Sequence, residues 1–186
     1  MKIIKSYNKY LTQEIVEECF TKGVLTSVDK VVCGNGFSTG FLNLKVRRNR
    51  MMIMIAPNRA VVEEKEQGYL EDLNRPLSHK DKVYHSQNRI KFFYGDSFDD
   101  NFDDADILVF VADSFIMRGD AVSQIAHRID KVLLDEIHST HQQSLYRNIL
   151  VDFENRVVSR FPENVALVSV TASPILLNRV DIKIQN

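Results

Sequence analysis

Several short runs of this chain are apolar at nearly every position, and that constrains the fold more than any other feature. Met51-Met-Ile-Met-Ile-Ala56 is the clearest. Ile107-Leu-Val-Phe-Val111 after Asp106, Val132-Leu-Leu134 and Val165-Ala-Leu-Val-Ser-Val170 follow it. A strand with one wet face alternates apolar and polar residues, whereas an unbroken run is buried on both faces. Segments of helical length separate most of these runs, so their strands cannot be hairpin partners and most of the sheet should be parallel. The expectation is an α/β fold of three layers, with a mostly parallel central sheet. At 186 residues the chain is long enough for one such domain with a real core.

Further elements follow from local signals. Thr12 is a suitable N-cap for a helix over 12–22 that stops near Gly23, with Ile15, Val16, Cys19 and Phe20 as its apolar stripe. Lys30-Val-Val-Cys33 reads as a strand, followed by a helix from Ser38 to about Arg48. Helices are expected over 60–70, 120–128 and 139–160, the last with Leu145, Ile149, Phe153 and Val157 on one face. Ile90 to Tyr94 is a further strand, and 71–89 reads as a loop. A parallel sheet covered on both faces places its ligand at the carboxyl ends of its strands. Chemistry is therefore expected just after Cys33, Ala56, Val111, Leu134 and Val170.

Two of those ends carry suggestive residues. Gly34-Asn-Gly-Phe-Ser-Thr39 is a glycine-rich turn between a strand and a helix, where backbone N–H groups can face an anion. Ser38 or Thr39 could place a hydroxyl on a magnesium ion. The bland alternative is a plain tight turn. Asp135-Glu-Ile-His138 puts two adjacent acids after an apolar strand. Buried carboxylates cost several kcal/mol without a partner, and nucleotide-bound magnesium is a natural one. Asp135 would hold the metal through water, and Glu136 would orient or deprotonate the attacking water. Acids capping a helix N-terminus are the alternative. A glycine turn and an acid pair about 100 residues apart, both at strand ends, make the arrangement that nucleotide hydrolysis requires.

The same residues, with others in the same order, resemble the DEAD/DEAH-type superfamily 2 helicases, whose ATP-binding lobe is a RecA-like P-loop NTPase domain. Val31 to Thr39 looks like motif I, with Gly34, Gly36 and Ser38 matching. Ile55-Ala-Pro-Asn-Arg-Ala60 is similar to motif Ia, and Ala105 to Asp120 to the motif Ib region. Val132-Leu-Leu-Asp-Glu-Ile-His138 is close to the DEAH box, with Ile137 in place of alanine. Val170-Thr-Ala-Ser-Pro174 looks like motif III. The resemblance covers residues 24 to 174 and implies one helicase lobe over 1–186. It implies ATP and Mg2+ as ligands, with Gly34, Asn35, Gly36, Phe37, Ser38 and Thr39 around the phosphates. It further implies that Ser38 and Asp135 serve the metal and that Glu136 serves the water. His138, Thr171 and Ser173 would couple the nucleotide to a nucleic acid. Pro57, Arg59 and the Ser114 region would lie along the backbone of a single strand of DNA or RNA.

Two departures stand out. Phe37 occupies the position where a phosphate loop has lysine. Losing one charge-assisted hydrogen bond costs about 1.5–3 kcal/mol, so nucleotide should bind about ten- to a hundredfold more weakly. Lys30 and Lys45 are nearby, and the spacing brings neither into the gap. The chain also ends soon after the motif III match, so the second RecA-like lobe, which supplies arginines to the transferred phosphate, is expected from elsewhere.

Composition narrows the rest. Net charge is −1, so no whole-chain basic field announces nucleic acid. Lys45, Arg47, Arg48 and Arg50 are expected at a helix C-terminus, where positive charge is favourable. His138 and His141 lack the further ligands of a zinc site, and the acidic run 96–106 lacks the glycine and glutamate of a calcium loop. Two cysteines without CxxC spacing fit a reducing compartment, and no run is long enough to span a bilayer, so a cytoplasmic protein is expected. Three functions remain in play. One is the ATP-binding lobe of a helicase or translocase. Another is a degenerate lobe that binds a protein or nucleic acid without turnover. The last is a different magnesium-dependent phosphoryl-transfer enzyme.

Overall fold

The computed structural model describes residues 1–32, 34–76, 83–84, 87–95, 101–136, 160–161, 163, 165–172 and 180–185. Eight strands form one sheet: β1 (Lys2–Lys5), β2 (Leu25–Asp29), β3 (Met51–Ala56), β4 (Ile90–Phe93), β5 (Ile107–Val111), β6 (Ile129–Asp135), β7 (Ala166–Thr171) and β8 (Ile182–Gln185). Their order is β1-β8-β2-β7-β6-β3-β5-β4, and every pairing is parallel. The helices are α1 (Gln13–Glu18), α2 (Phe37–Leu42), α3 (Arg59–Leu73), α4 (Ala112–Met117) and α5 (Gly119–Gln124), with a 3-10 turn at Ala126–Arg128.

The apolar runs behave as their composition requires. All six residues of β3 and all seven of β6 are buried. Alternate side chains feed two separate cores. Met52, Met54, Ile107, Val109, Leu133 and Val168 pack with Val16, Phe41 and Val62 of α1–α3. Met51, Ile53, Leu108, Phe110, Val132 and Leu167 pack with Phe115 and Val122 of α4 and α5. Each fully buried Met, Ile or Phe contributes about 1.5–3 kcal/mol relative to exposure, which is why strands filling both cores need no polar face. The three-layer architecture is the one expected from sequence.

Boundaries differ where polar residues do the work. Thr12 caps α1 as expected, its Oγ1 accepting from Ile15 N, but the helix ends at Glu18 rather than near residue 22. Gly23 is needed beyond it for another reason: its φ is +68°, and a Cβ there would lie 2.6 Å from the Glu163 carbonyl. The helix after the glycine turn stops at Leu42, six residues short of expectation. The basic cluster therefore lies in the α2–β3 connection, where Arg47 Nη2 reaches Asp130 at 3.0 Å and Arg50 Nη1 donates to the His127 carbonyl. α4 was absent from the sequence reading, as were the edge strand β1 and its neighbour β8. The helix expected over 139–160 falls outside the described residues.

The correction that matters most concerns β2. Lys30, Val31 and Val32 do not form the strand, and Cys33 lies outside the described residues; the strand is Leu25–Asp29. Val31 and Val32 suggested a buried strand, yet they are 43% and 48% exposed, and Val31 has φ +59°. The strand itself, Leu-Thr-Ser-Val-Asp, is partly polar: the Asp181 carboxylate accepts from Ser27 N, and Ser169 Oγ donates to Ser27 Oγ. Lys30 thereby moves from the start of a strand to the end of one.

Candidate nucleotide site

Register sets the level of the site. Asp29 of β2 pairs with Thr171 of β7, and Val170 beside it pairs with Asp135 of β6. Three adjacent strands thus end together, with Asp135 and then Glu136 on one side and Lys30 on the other. Beyond β2 the chain reverses sharply. The Asp29 carboxylate accepts from Val31 N at 2.8 Å, Val31 takes a left-handed conformation, and the Lys30 carbonyl accepts from Asn35 Nδ2 at 3.1 Å. A β-branched residue held at positive φ costs about 1–3 kcal/mol, strain that persists only where surrounding structure over-determines it.

Asn35 is the clasp of the glycine turn. Its Nδ2 holds Lys30, its Oδ1 accepts from Phe37 N at 3.3 Å, and its carbonyl accepts from Leu11 N. Its side chain is therefore committed to the loop's own shape. Gly34 and Gly36 both have positive φ, +74° and +82°. At Gly34 a Cβ would meet nothing within 4 Å, so glycine is required there by conformation and not by crowding. Phe37 was expected among the residues around the phosphates. Its ring instead points into the core with Phe41 and Val16, 1% exposed, because the helical turn that aims Ser38 outward aims residue 37 inward. Only its backbone belongs to the turn.

Ser38 and the acid pair meet. Ser38 Oγ donates to Asp135 Oδ2 at 2.5 Å, across 97 residues of sequence. Glu136, with φ +46°, accepts from Ala172 N at 3.5 Å and ion-pairs with Lys30. Lys30 Nζ also lies 3.7 Å from Asp135 Oδ1, an oxygen that is buried and has no hydrogen-bond partner among the described residues. Burial pushes the Asp135 carboxyl above its ordinary range, and Glu136 adds to this; Lys30 and Ser38 pull the other way. Lys65 of α3 donates to Thr39 Oγ1 at 3.2 Å, and its charge also favours the ionised form of Asp135. Neither lysine was expected here. Lys30 could have been found only by ending β2 at Asp29, and no motif points to Lys65.

The donor set fits magnesium. A hydroxyl and a carboxylate, both hard oxygens, converge, and one carboxylate oxygen is buried without a hydrogen bond. Among the other expected residues, Thr171 is fully buried at the end of β7. Arg59 is exposed, bound to Glu63 and stacked over Tyr94 at 5.2 Å. Pro57 and Ser114 are buried, Ser114 at 4% exposure. His138 and Ser173 lie outside the described residues, as does His141. Two surface grooves, one along α3 lined by Glu63, Glu66 and Glu71 and one lined by Asn43, Lys45 and Asn88, include no residue of the turn or acid pair.

No family model matches the chain, and no curated protein matches it. Solved structures do. A DEAD box protein of the hyperthermophile Methanococcus jannaschii superposes with a TM-score of 0.62 at 11% identity, covering 92% of this chain and 47% of that one. The chain has the fold of a helicase RecA-like lobe. A Dbp5 variant of S. cerevisiae bound to RNA and ADP-BeF3 matches the RecA-like lobe with a TM-score of 0.58 at 13% identity, over 92% of this chain and 45% of its own. The DUF1998 helicase MrfA matches at 0.59 and 10% identity, over 97% of this chain and 30% of its own. The lobe thus spans less than half the length of each of these structures. Among the described residues no helix is long and apolar enough to cross a membrane.

Proposed function

We propose that this chain is the ATP-binding lobe of a helicase- or translocase-type ATPase that remodels DNA or RNA. The observation that carries the reading is the contact between Ser38 and Asp135, which brings the glycine turn and the acid pair into one site at the ends of β2 and β6. In this reading Ser38 and Asp135 hold Mg2+, which when bound supplies charge neutralisation to the phosphates. Glu136 orients the attacking water and accepts its proton. The backbone N–H groups around Gly34 and Gly36 face the phosphate oxygens. His138, Thr171 and Ser173 couple that site to a single strand whose backbone passes Arg59, and a second RecA-like lobe closes over the nucleotide. The solved helicases of the same fold include one carrying ADP-BeF3 and RNA, which supports this choice of ligands. A cytoplasmic location goes with it.

Calorimetric titration with Mg-ATP tests the binding half, with Asp135→Asn expected to abolish the signal. The hydrolytic half is tested on the lobe joined to its second lobe, with nucleic acid present. ATP turnover that vanishes in Glu136→Gln is expected. A different phosphoryl-transfer enzyme would turn over without nucleic acid or a second lobe.

One observation favours another reading. The buried ring of Phe37 leaves the usual lysine position without charge, as in a lobe that serves as a protein or nucleic-acid interaction module without turnover. That reading predicts a silent titration together with retained partner binding.

A further inference from the structure

Lys30 is 6% exposed, a burial that an ammonium group tolerates only with partners. Its partners are the two acids of the site: Glu136 in direct contact, and Asp135 Oδ1 at 3.7 Å. The other oxygen of Asp135 receives the Ser38 hydroxyl, so a single carboxylate separates the ammonium from Ser38. The backbone of Lys30 is fixed at both ends, its N–H to the Thr171 carbonyl at 2.9 Å and its carbonyl to Asn35. Val31 carries the conformational strain that turns the chain away immediately afterwards. Three charges, with Lys30 and Asp135 buried and Glu136 partly so, are no efficient way to stabilise a fold, because the desolvation cost offsets much of the attraction. Its value has to be sought in chemistry.

Charge balance suggests which chemistry. The two carboxylates and the Lys30 ammonium by themselves carry net negative charge, which repels a polyphosphate, and Lys65, whose charge also acts on Asp135, offsets part of it. A divalent cation on Asp135 reverses the sign, and it competes with the ammonium for the same carboxylate. Phosphate oxygens are then the partners of equivalent chemistry within reach of the lysine stem. We infer that Lys30 is the phosphate-clamping cation of this site, its ammonium contacting the terminal phosphates of a bound nucleoside triphosphate in place of the lysine absent at position 37. The inference rests on the nucleotide reading above. Lys65, bound to Thr39 and also felt by Asp135, is the competing source of that charge.

The test uses the unmodified chain, Mg2+ and an acyl phosphate of ATP. The ε-ammonium nearest the terminal phosphate first gives a proton to the buffer, the free amine attacks the acyl carbonyl, the acyl–oxygen bond to phosphate breaks and ATP leaves, and a second proton is released as the lysine becomes an amide. Peptide mapping is expected to find Lys30 acylated at least about tenfold above any other lysine, with excess ATP suppressing it. In parallel, Lys30→Met should weaken Mg-ATP binding about ten- to a hundredfold, the scale of one charge-assisted bond, while Lys30→Arg stays within a few-fold of the parent. Acylation at Lys65 instead, or unchanged affinity in Lys30→Met, overturns the assignment while leaving nucleotide binding intact. An unmodified chain with neither Mg-ATP binding nor ATP-suppressible labelling defeats the nucleotide reading itself. The labelling result stands on the parent chain, so it decides the matter even where Lys30→Met fails to fold.

Discussion

At the scale of single residues, the site separates side chains that hold its shape from those that face a ligand. Phe37 belongs to the first group. Replacing it with lysine, the obvious repair from sequence, would put an ammonium into the cluster formed by Phe41 and Val16. Phe37→Lys is expected to destabilise by about 3–5 kcal/mol, as for other losses of a buried phenylalanine, without raising affinity for Mg-ATP. Urea unfolding alongside calorimetry checks both halves. Ser38 belongs to both groups. Ser38→Ala leaves Asp135 Oδ2 without its donor, which should cost about 1–3 kcal/mol in unfolding free energy and abolish the dependence of nucleotide binding on Mg2+. The identities of Ser38, Asp135 and Glu136 were legible because hydroxyl and carboxylate are scarce beside apolar strands. Lys30 was not legible, because Val31 and Val32 imitate a buried strand and their exposure is invisible in one dimension.

At the scale of elements, α2 is short, and its position depends on close approach to α1. A Cβ at Gly40 would lie 2.9 Å from Val16 Cγ2, and Val16 is fully buried, so neither side can give way. Gly40→Ala is therefore expected to cost about 1–3 kcal/mol despite alanine's better helix propensity, as overpacking does. Denaturant midpoints at unchanged slope would show it. Shifting α2 also shifts Ser38, so weaker Mg-ATP binding should accompany the loss. Strands β3, β5, β6 and β7 were readable from composition because both of their faces are buried. β1 and β8 were not, since four-residue strands with exposed positions give too short a pattern.

At the scale of the whole molecule, the outer part of the sheet depends on one strand. Among the described residues β1 pairs with β8 alone, and β8 in turn reaches β2 through two residue pairs, Val28 with Ile182 and Asp29 with Lys183. Removing residues 181–186 should release β1 and uncover β2. Amide exchange over 2–5 is expected to rise to that of an unpaired segment, with a lower melting temperature. The second pairing of β8 lies directly beside Lys30, so the truncation should weaken nucleotide binding as well. Parallel order and three layers were legible from the spacing of apolar runs. The lateral order of strands was not, because pairing between distant segments leaves no local mark.

The placement of Lys30 has a mechanical consequence. A lysine at position 37 would ride on a helix of six residues that begins in a glycine turn. Lys30 follows β2, Asp135 ends β6, and the single strand β7 lies between them. Cation and acids are therefore mounted on the same stiff plate, at a spacing set by strand register. The glycine turn is joined to that plate at the Lys30 carbonyl through Asn35, so the turn is braced against the strand that carries the cation. Asn35→Ala, which cuts that brace, should therefore loosen the grip on the phosphates while the strand register that spaces Lys30 from Asp135 stays as it is.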